Sequence, residues 1–140
     1  MGRAARTSAK TRAMASRLRL EERSIASGAL AAMEARHPEV VREVQAAIRG
    51  NAVVVVGMAQ NPHVKKVRKA LGEAGVAHAY LEYGSYFSKW RERLAIKLWT
   101  GWPTFPQVFV RGILIGGNEL TRAALADGTL KSSLLIKALA

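Results

Sequence analysis

Apolar residues follow two spacings from Asn51 onward. Residues 53–56 form a continuous run of valines, which is typical of a strand buried on both faces. Residues 62–74 then carry apolar side chains at helical spacing, with Gly75 after them as a stop. Residues 77–82 predict a second strand. The pattern therefore predicts that strands and helices alternate in this part of the chain.

The same spacing of apolar residues predicts the elements of residues 86–139. Residues 86–98 predict a helix that buries Trp90, Leu94 and Leu98 at spacings of four. Two short strands, 107–110 and 113–115, are joined by Arg111-Gly112, which predicts a tight hairpin. Two helices, 118–126 and 130–139, close the chain. The predicted order is β-α-β-α-β-β-α with a terminal helix, which is an α/β architecture.

The first fifty residues have a different character. Residues 21–36 are rich in Ala and Glu and predict a helix, and Pro38 opens a second helix that Gly50 ends. Residues 1–20 contain basic and no acidic residues, which is typical of an organelle transit peptide or a nucleic-acid-binding arm. A tail without a specific role is the third interpretation. The predicted organisation is a basic flexible segment (1–20), a helical extension (21–50) and the α/β domain (51–140).

Composition narrows the function classes. The chain has 140 residues and no cysteine, which excludes disulfides, thiolate nucleophiles and Cys-ligated metals. Its net charge of +12 is typical of a protein with an anionic partner, such as nucleic acid or an acidic protein, and equally of a protein whose basic surface is simply solvated. No apolar run reaches the roughly 18 residues of a membrane span, so no transmembrane segment is expected. No secretory signal peptide is expected either.

Two motifs carry most of the information. Residues 102–107 read Trp-Pro-Thr-Phe-Pro-Gln before a predicted strand, and residues 116–119 read Gly-Gly-Asn-Glu before a predicted helix. Together they resemble the glutaredoxin family, most closely its monothiol branch, and the resemblance covers about residues 51–136. It implies a thioredoxin-like (glutaredoxin) fold with a central four-stranded mixed sheet flanked by helices.

The resemblance also implies a glutathione site. In the family the bond corresponding to Phe105–Pro106 is cis, and the backbone after Thr104 pairs with the cysteinyl part of glutathione as an added strand. Gly116 and Gly117 would allow close backbone approach.

The two ends of the ligand are assigned by the same resemblance. The helix that begins at Asn118 would receive the γ-glutamyl carboxylate, and Glu119 matches the Asp that pairs with the ligand amine. Arg93 and Lys97 fall where the family places groups near the glycyl carboxylate. His63 would face the same groove.

The reactive half of the family site is absent. Asn61 occupies the position of the nucleophilic cysteine, followed by the family proline at Pro62, and Met58 replaces a lysine. Asn61 and Pro62 keep the start of a helix, but an amide cannot exchange disulfides. We therefore expect no thiol–disulfide chemistry at this site and no iron–sulfur cluster, because the protein ligand is missing. The histidines have no metal-site spacing, and His63 is more simply a polar surface residue.

Three functional hypotheses follow. The first is a redox-inactive glutaredoxin-like protein that binds glutathione, or a glutathione-like peptide, as a sensor or adaptor. The second is a basic binding module for nucleic acid or an acidic protein, in which Lys65, Lys66, Arg68 and Lys69 would form part of the binding face; the simpler interpretation of this cluster is a solvated helix face. The third is a glutathione-dependent oxidoreductase whose cysteine has been replaced in this sequence. The predicted compartment is the cytoplasm, or a mitochondrion or plastid if residues 1–20 are a transit peptide.

Overall fold

The N-terminal part of the chain forms a small helical unit. The computed structural model describes residues 17–139, and the side-chain surroundings of residues 17–135. Two compact units are separated between Ala35 and Arg36. Within the described residues of the first, a 3-10 turn spans Glu22–Ser24 and helix α1 spans Ser27–Glu34, with no buried residue in either.

The helix predicted over residues 21–36 is interrupted. Ile25 is extended (φ −110°, ψ 125°) between the 3-10 turn and α1. Serines flank this break on both sides, and serine side chains favour helix ends over helix interiors. Most of the basic segment predicted over residues 1–20 lies outside the described residues.

The second unit contains the predicted alternation of strands and helices. Its described elements are α2 (Pro38–Gly50), β1 (Val53–Gly57), α3 (Pro62–Glu73), β2 (Ala79–Glu82), α4 (Trp90–Thr100), β3 (Gln107–Val110), β4 (Ile113–Gly116), α5 (Asn118–Ala126) and α6 (Thr129–Leu139). The predicted order is confirmed. The functional division into 1–20, 21–50 and 51–140 stays a prediction, and α2 lies in the same compact unit as the sheet.

A four-stranded mixed sheet forms the centre of this unit, in the order β2-β1-β3-β4. β1 pairs in parallel with β2 and antiparallel with β3, so that Val54 lies opposite both Ala79 and Phe109. β4 pairs antiparallel with β3. Arg111 (φ 50°) and Gly112 (φ 82°) form the predicted hairpin turn, since both central residues of a type I′ turn have positive φ. The predicted α/β fold class is confirmed.

The valine run of β1 supplies both faces of the core. Val54 and Val56 pack into one apolar cluster with residues of α2 and α4, including Val44 and Ile96. The alternate positions of β1 pack into a second cluster with residues of α3 and α6, including Leu71 and Leu130. Because side chains alternate across a strand, a strand with two covered faces needs a continuous apolar run.

Helix α4 differs from its prediction. It begins at Trp90, four residues later than expected, because Gly84 (φ 68°) and Lys89 (φ 54°) turn the chain before it. The predicted burial of Trp90 and Leu98 is wrong: 57% of Trp90 and 60% of Leu98 are exposed. The buried residues of α4 are Arg93, Ala95 and Ile96. In the part of the chain that is described, no helix has the length and hydropathy of a membrane span.

Candidate functional site

A groove of about 350 Å³ lies between the loop before β3, the start of α5 and the start of α3. The residues that line it are His63, Trp102, Thr104, Phe105, Pro106, Gly117, Asn118, Glu119 and Leu120. Seven of the predicted site residues are therefore brought together, and Gly116 lies beside them, buried at the end of β4. Two larger depressions, near the Arg111–Gly112 hairpin, are lined by none of these residues.

Phe105 offers a free stretch of backbone at the groove. The Phe105–Pro106 peptide bond is cis, as the resemblance implied. Both side chains are buried. Within residues 17–139, no backbone group bonds to the N–H or C=O of Phe105. An extended peptide could therefore pair with this residue in the manner of an added β-strand.

The start of α5 forms the opposite wall. Gly117 is its N-cap and has no side chain that could satisfy the first amides of the helix. Such amides, with the helix dipole, attract a carboxylate. Asn118 is 8% exposed, and its Oδ1 atom is buried without a hydrogen-bond partner among the described residues. Glu119 is exposed in the first turn and places a carboxylate at the rim.

Glycine is required where β4 meets α5. Gly116 has φ of 121°, and a Cβ there would lie 2.6 Å from Cδ1 of Leu120. A Cβ on Gly117 would lie 3.3 Å from the carbonyl oxygen of Pro106 and 3.5 Å from Nε1 of Trp102. A side chain at Gly117 would thus press on the opposite wall of the groove. Gly117 therefore keeps the two walls close together, and Gly116 lets the chain turn into α5 beneath Leu120.

Gln107 fixes the loop that carries Phe105. Its side chain is fully buried, with Nε2 donating to the carbonyl oxygen of Trp102 (3.0 Å) and Oε1 accepting from the Thr100 hydroxyl (2.9 Å). The Trp102 N–H in turn donates to that hydroxyl (3.1 Å). Sequence reasoning did not assign this role. The available signal was a polar residue at the first position of an otherwise apolar strand.

Asn61 is used to cap α3. Its Oδ1 accepts hydrogen bonds from the backbone N–H groups of His63 (2.9 Å) and Val64 (3.2 Å), and the residue is 7% exposed. The amide oxygen therefore takes the two helix donors that could stabilise a thiolate at this position. The predicted cap is confirmed. His63 is exposed and borders the groove, whereas Met58 is buried in the core.

The two cations predicted near a ligand carboxylate are placed differently. Lys97 lies beside the groove, with its Nζ atom 5.7 Å from the centre of the Phe105 ring. Arg93 is 7% exposed and does not line the groove. Its Nη1 atom donates to the carbonyl oxygens of Tyr83 (2.9 Å) and Ser88 (2.6 Å), and burial lowers the pKa of its guanidinium.

The basic cluster of α3 is partly engaged within the protein. The guanidinium of Arg68 lies 3.9 Å from the centre of the Tyr80 ring, and Nζ of Lys69 lies 3.8 Å from Oε1 of Glu73. Such contacts hold these side chains against their own surface. No group of three or more acidic or histidine side chains in the described part of the chain could hold a metal ion.

Comparisons with known proteins agree with the geometry, although no family model matches the chain. A glutaredoxin-like protein of Dictyostelium discoideum is 60% identical over 98 residues, which are 70% of this chain and 80% of that protein. The oxidised glutaredoxin 2 structure of Chlamydomonas reinhardtii has a TM-score of 0.61 at 28% identity, over 70% of this chain and 92% of that one. A buckwheat glutaredoxin–glutathione complex has the same TM-score, 0.61, at 24% identity, over 70% of this chain and 89% of that one.

Proposed function

The chain belongs to the glutaredoxin family, and on that premise we propose that it holds glutathione, or a glutathione-like peptide end, without exchanging thiols. The observation that carries the proposal is the groove, which joins the unpaired backbone of Phe105 to the uncapped start of α5. A ligand-holding protein of this kind would act as a sensor or adaptor.

Each part of the tripeptide has a chemical counterpart in the groove. The cysteinyl N–H and C=O pair with Phe105, and the γ-glutamyl carboxylate docks on the first amides of α5. The carboxylate of Glu119 faces the ligand amine, and the ammonium of Lys97 faces the glycyl carboxylate. The buckwheat glutaredoxin–glutathione complex has the same fold.

The thiol of the bound ligand stays a thiol in this proposal. Disulfide exchange needs an attacking thiolate, and the chain has no sulfur nucleophile. The carboxamide of Asn61 is turned back onto α3 by its two hydrogen bonds. The site can therefore bind and orient glutathione but offers no group that would be reduced or oxidised.

Titration with reduced glutathione, followed by amide NMR shifts, tests the proposal. We expect saturable shifts at Phe105, Gly117 and Asn118. Glu119→Gln should weaken binding about two- to fivefold, as expected for an exposed ion pair. Glu73→Gln is the matched control, because Glu73 is an exposed carboxylate on α3 that does not line the groove. An absence of shifts at millimolar glutathione would exclude the proposal.

The hypothesis of a replaced cysteine has its own test. In Asn61→Cys, the N–H groups of His63 and Val64 would face the new sulfur and lower its pKa below about 8.5. Glutathione-dependent reduction of a mixed disulfide by this variant would support a scaffold that is competent for exchange. A thiol with an ordinary pKa and no turnover would count against it.

The basic-module hypothesis and the compartment remain proposals with separate tests. Binding to short RNA or DNA should weaken steeply with salt if the net charge of +12 drives it. Localisation of the full chain in cells, with and without residues 1–20, tests the cytoplasmic proposal against import into an organelle.

A further inference from the structure

A ridge of apolar side chains stands out from the second unit. It consists of Tyr86, Phe87, Trp90, Leu94 and Leu98, and we call it the apolar ridge. Phe87 is 94% exposed, and Tyr86, Trp90 and Leu98 are each more than half exposed, whereas Leu94 is half-buried between Trp90 and Leu98. The last three residues of the ridge recur at intervals of four on α4 and therefore form one stripe. An exposed apolar set of this kind marks an interaction surface.

The exposure of Phe87 is built into the loop. Ser88 N–H donates to the Ser85 carbonyl oxygen, and Ser85 N–H donates to the Ser88 hydroxyl. The buried guanidinium of Arg93 holds the carbonyl oxygens at both ends, on Tyr83 and Ser88. The turn is thus closed by its own hydrogen bonds, and the aromatic ring of Phe87 projects from it into water.

Cations border the ridge. Lys89 and Arg91 flank Trp90 in sequence, and the guanidinium of Arg91 lies 5.1 Å from the centre of the Trp90 ring. Lys97 lies within the same stripe of α4. Glu92 is the one acidic residue between positions 84 and 101, and its Oε1 atom lies 3.8 Å from Nε2 of His37.

We infer that the apolar ridge docks on a membrane surface that contains anionic lipid headgroups. Aromatic and leucine side chains insert at the boundary between headgroups and acyl chains, where tryptophan and tyrosine are favoured. Lysine and arginine beside them pair with lipid phosphates and carboxylates. A fixed turn loses little conformational entropy when Phe87 inserts.

Other occupants fit the ridge less well. The Trp90 face that Arg91 covers is not free for a base to stack on, and Leu94 and Leu98 offer no stacking surface. A second copy of this chain would bring Lys89 and Arg91 against like charges. A membrane with anionic headgroups fits both features, since its acyl boundary receives the apolar side chains and its headgroups pair with Lys89 and Arg91.

Flotation of the 140-residue chain with vesicles tests the inference. We expect binding to phosphatidylcholine vesicles that contain phosphatidylserine and none to pure phosphatidylcholine. Phe87→Ser should reduce the partition coefficient about tenfold, since most of the ring would leave the acyl boundary. Ile113→Ser, which removes an apolar side chain that is 62% exposed on β4, is the matched control and should change little.

Two double variants distinguish binding through the cations beside the ridge from binding through the net charge of the whole protein. Lys89→Glu with Arg91→Glu should reduce binding more than about tenfold. Lys65→Glu with Lys66→Glu, on α3, changes the net charge of the protein by the same amount. It should reduce vesicle binding much less than the first pair. Three results would overturn the inference: an equal loss of binding in the two double variants, vesicle binding that Phe87→Ser leaves unchanged, or no vesicle binding at all.

If the protein does not bind vesicles but binds RNA or associates with itself, and Phe87→Ser abolishes that binding, the inference is wrong and the ridge is the surface for RNA or for a second copy. Titration of Phe87→Ser with glutathione tests the groove independently of the ridge, because Phe87 does not line the groove.

Discussion

Asn61 shows how one residue preserves a helix start where the family places its reactive group. Its amide oxygen satisfies the buried N–H of Val64 and the partly buried N–H of His63, which would otherwise have no partner at the start of the helix. Asn61→Ala should therefore lower the free energy of unfolding by about 1 kcal/mol. Urea denaturation followed by circular dichroism measures this loss.

Two variants control for this effect. Asn61→Asp keeps an oxygen acceptor and should retain most of the stability. Asn51→Ala removes an exposed asparagine whose Nδ2 atom donates to the Ala47 carbonyl oxygen, and should cost less than about 0.5 kcal/mol. A loss at Asn61 no larger than that at Asn51 would contradict the capping role.

His78 gives the protein a pH-sensitive contact. Burial lowers its pKa, and Nε of Arg68 donates to its Nε2 atom at 3.4 Å. Because the pKa is lower in the folded state, protonation favours the unfolded state. Stability should therefore fall as pH drops below about 6.5. His78→Gln should flatten this dependence in urea midpoints measured across that range.

Single residues differ in how far sequence alone could place them. Asn61, Pro106 and Gly117 act through local backbone chemistry, so a motif identifies them. Arg93 and Trp90 could not be assigned this way, because both lie on a helix with apolar residues on more than one side. The carbonyl oxygens that accept hydrogen bonds from Arg93 belong to a turn, and the shape of that turn depends on Gly84 and Lys89.

At the scale of elements, the loop before β3 depends on one buried amide. Gln107→Leu would leave the carbonyl oxygen of Trp102 and the hydroxyl of Thr100 without this partner. We expect a loss of about 1–3 kcal/mol in the free energy of unfolding. We also expect weaker glutathione binding, because the Phe105 backbone would lose its support. Thermal denaturation and titration measure the two effects.

A matched substitution makes this prediction specific. Gln45→Leu, on α2, replaces a half-buried glutamine outside the groove and should leave glutathione affinity unchanged. If Gln107→Leu weakens stability but not affinity, the network supports the fold without positioning the site.

Strands were the elements best predicted from the sequence. The valine run of β1 and the Arg111–Gly112 turn have short-range signals, and the structure confirms both. Helix starts were harder, since α4 begins only where the chain leaves the left-handed conformation at Lys89. The break at Ile25 likewise depends on backbone angles that an Ala- and Glu-rich pattern does not specify.

On the scale of the whole molecule, α2 belongs to the folded core. Val40 and Val44 pack with Val54 and Ile96, and Glu43 accepts a hydrogen bond from the Tyr83 hydroxyl. A chain starting at Arg36 should therefore fold cooperatively. A chain starting at Asn51 should lose at least about 3 kcal/mol, because two buried valines are removed. Thermal unfolding of the two chains, compared with the full protein, tests this boundary; equal stability of both would contradict it.

The Asn61 cap also determines how the groove responds to oxidants. Peroxide converts a reactive thiolate to sulfenic and higher acids, so a cysteine at the start of α3 would change charge with each oxidising episode. The carboxamide of Asn61 is not oxidised by peroxide in this way. Under the proposed function, the groove would keep one shape while glutathione moves between thiol and disulfide, and its occupancy would report the composition of that pool rather than the protein's own oxidation history.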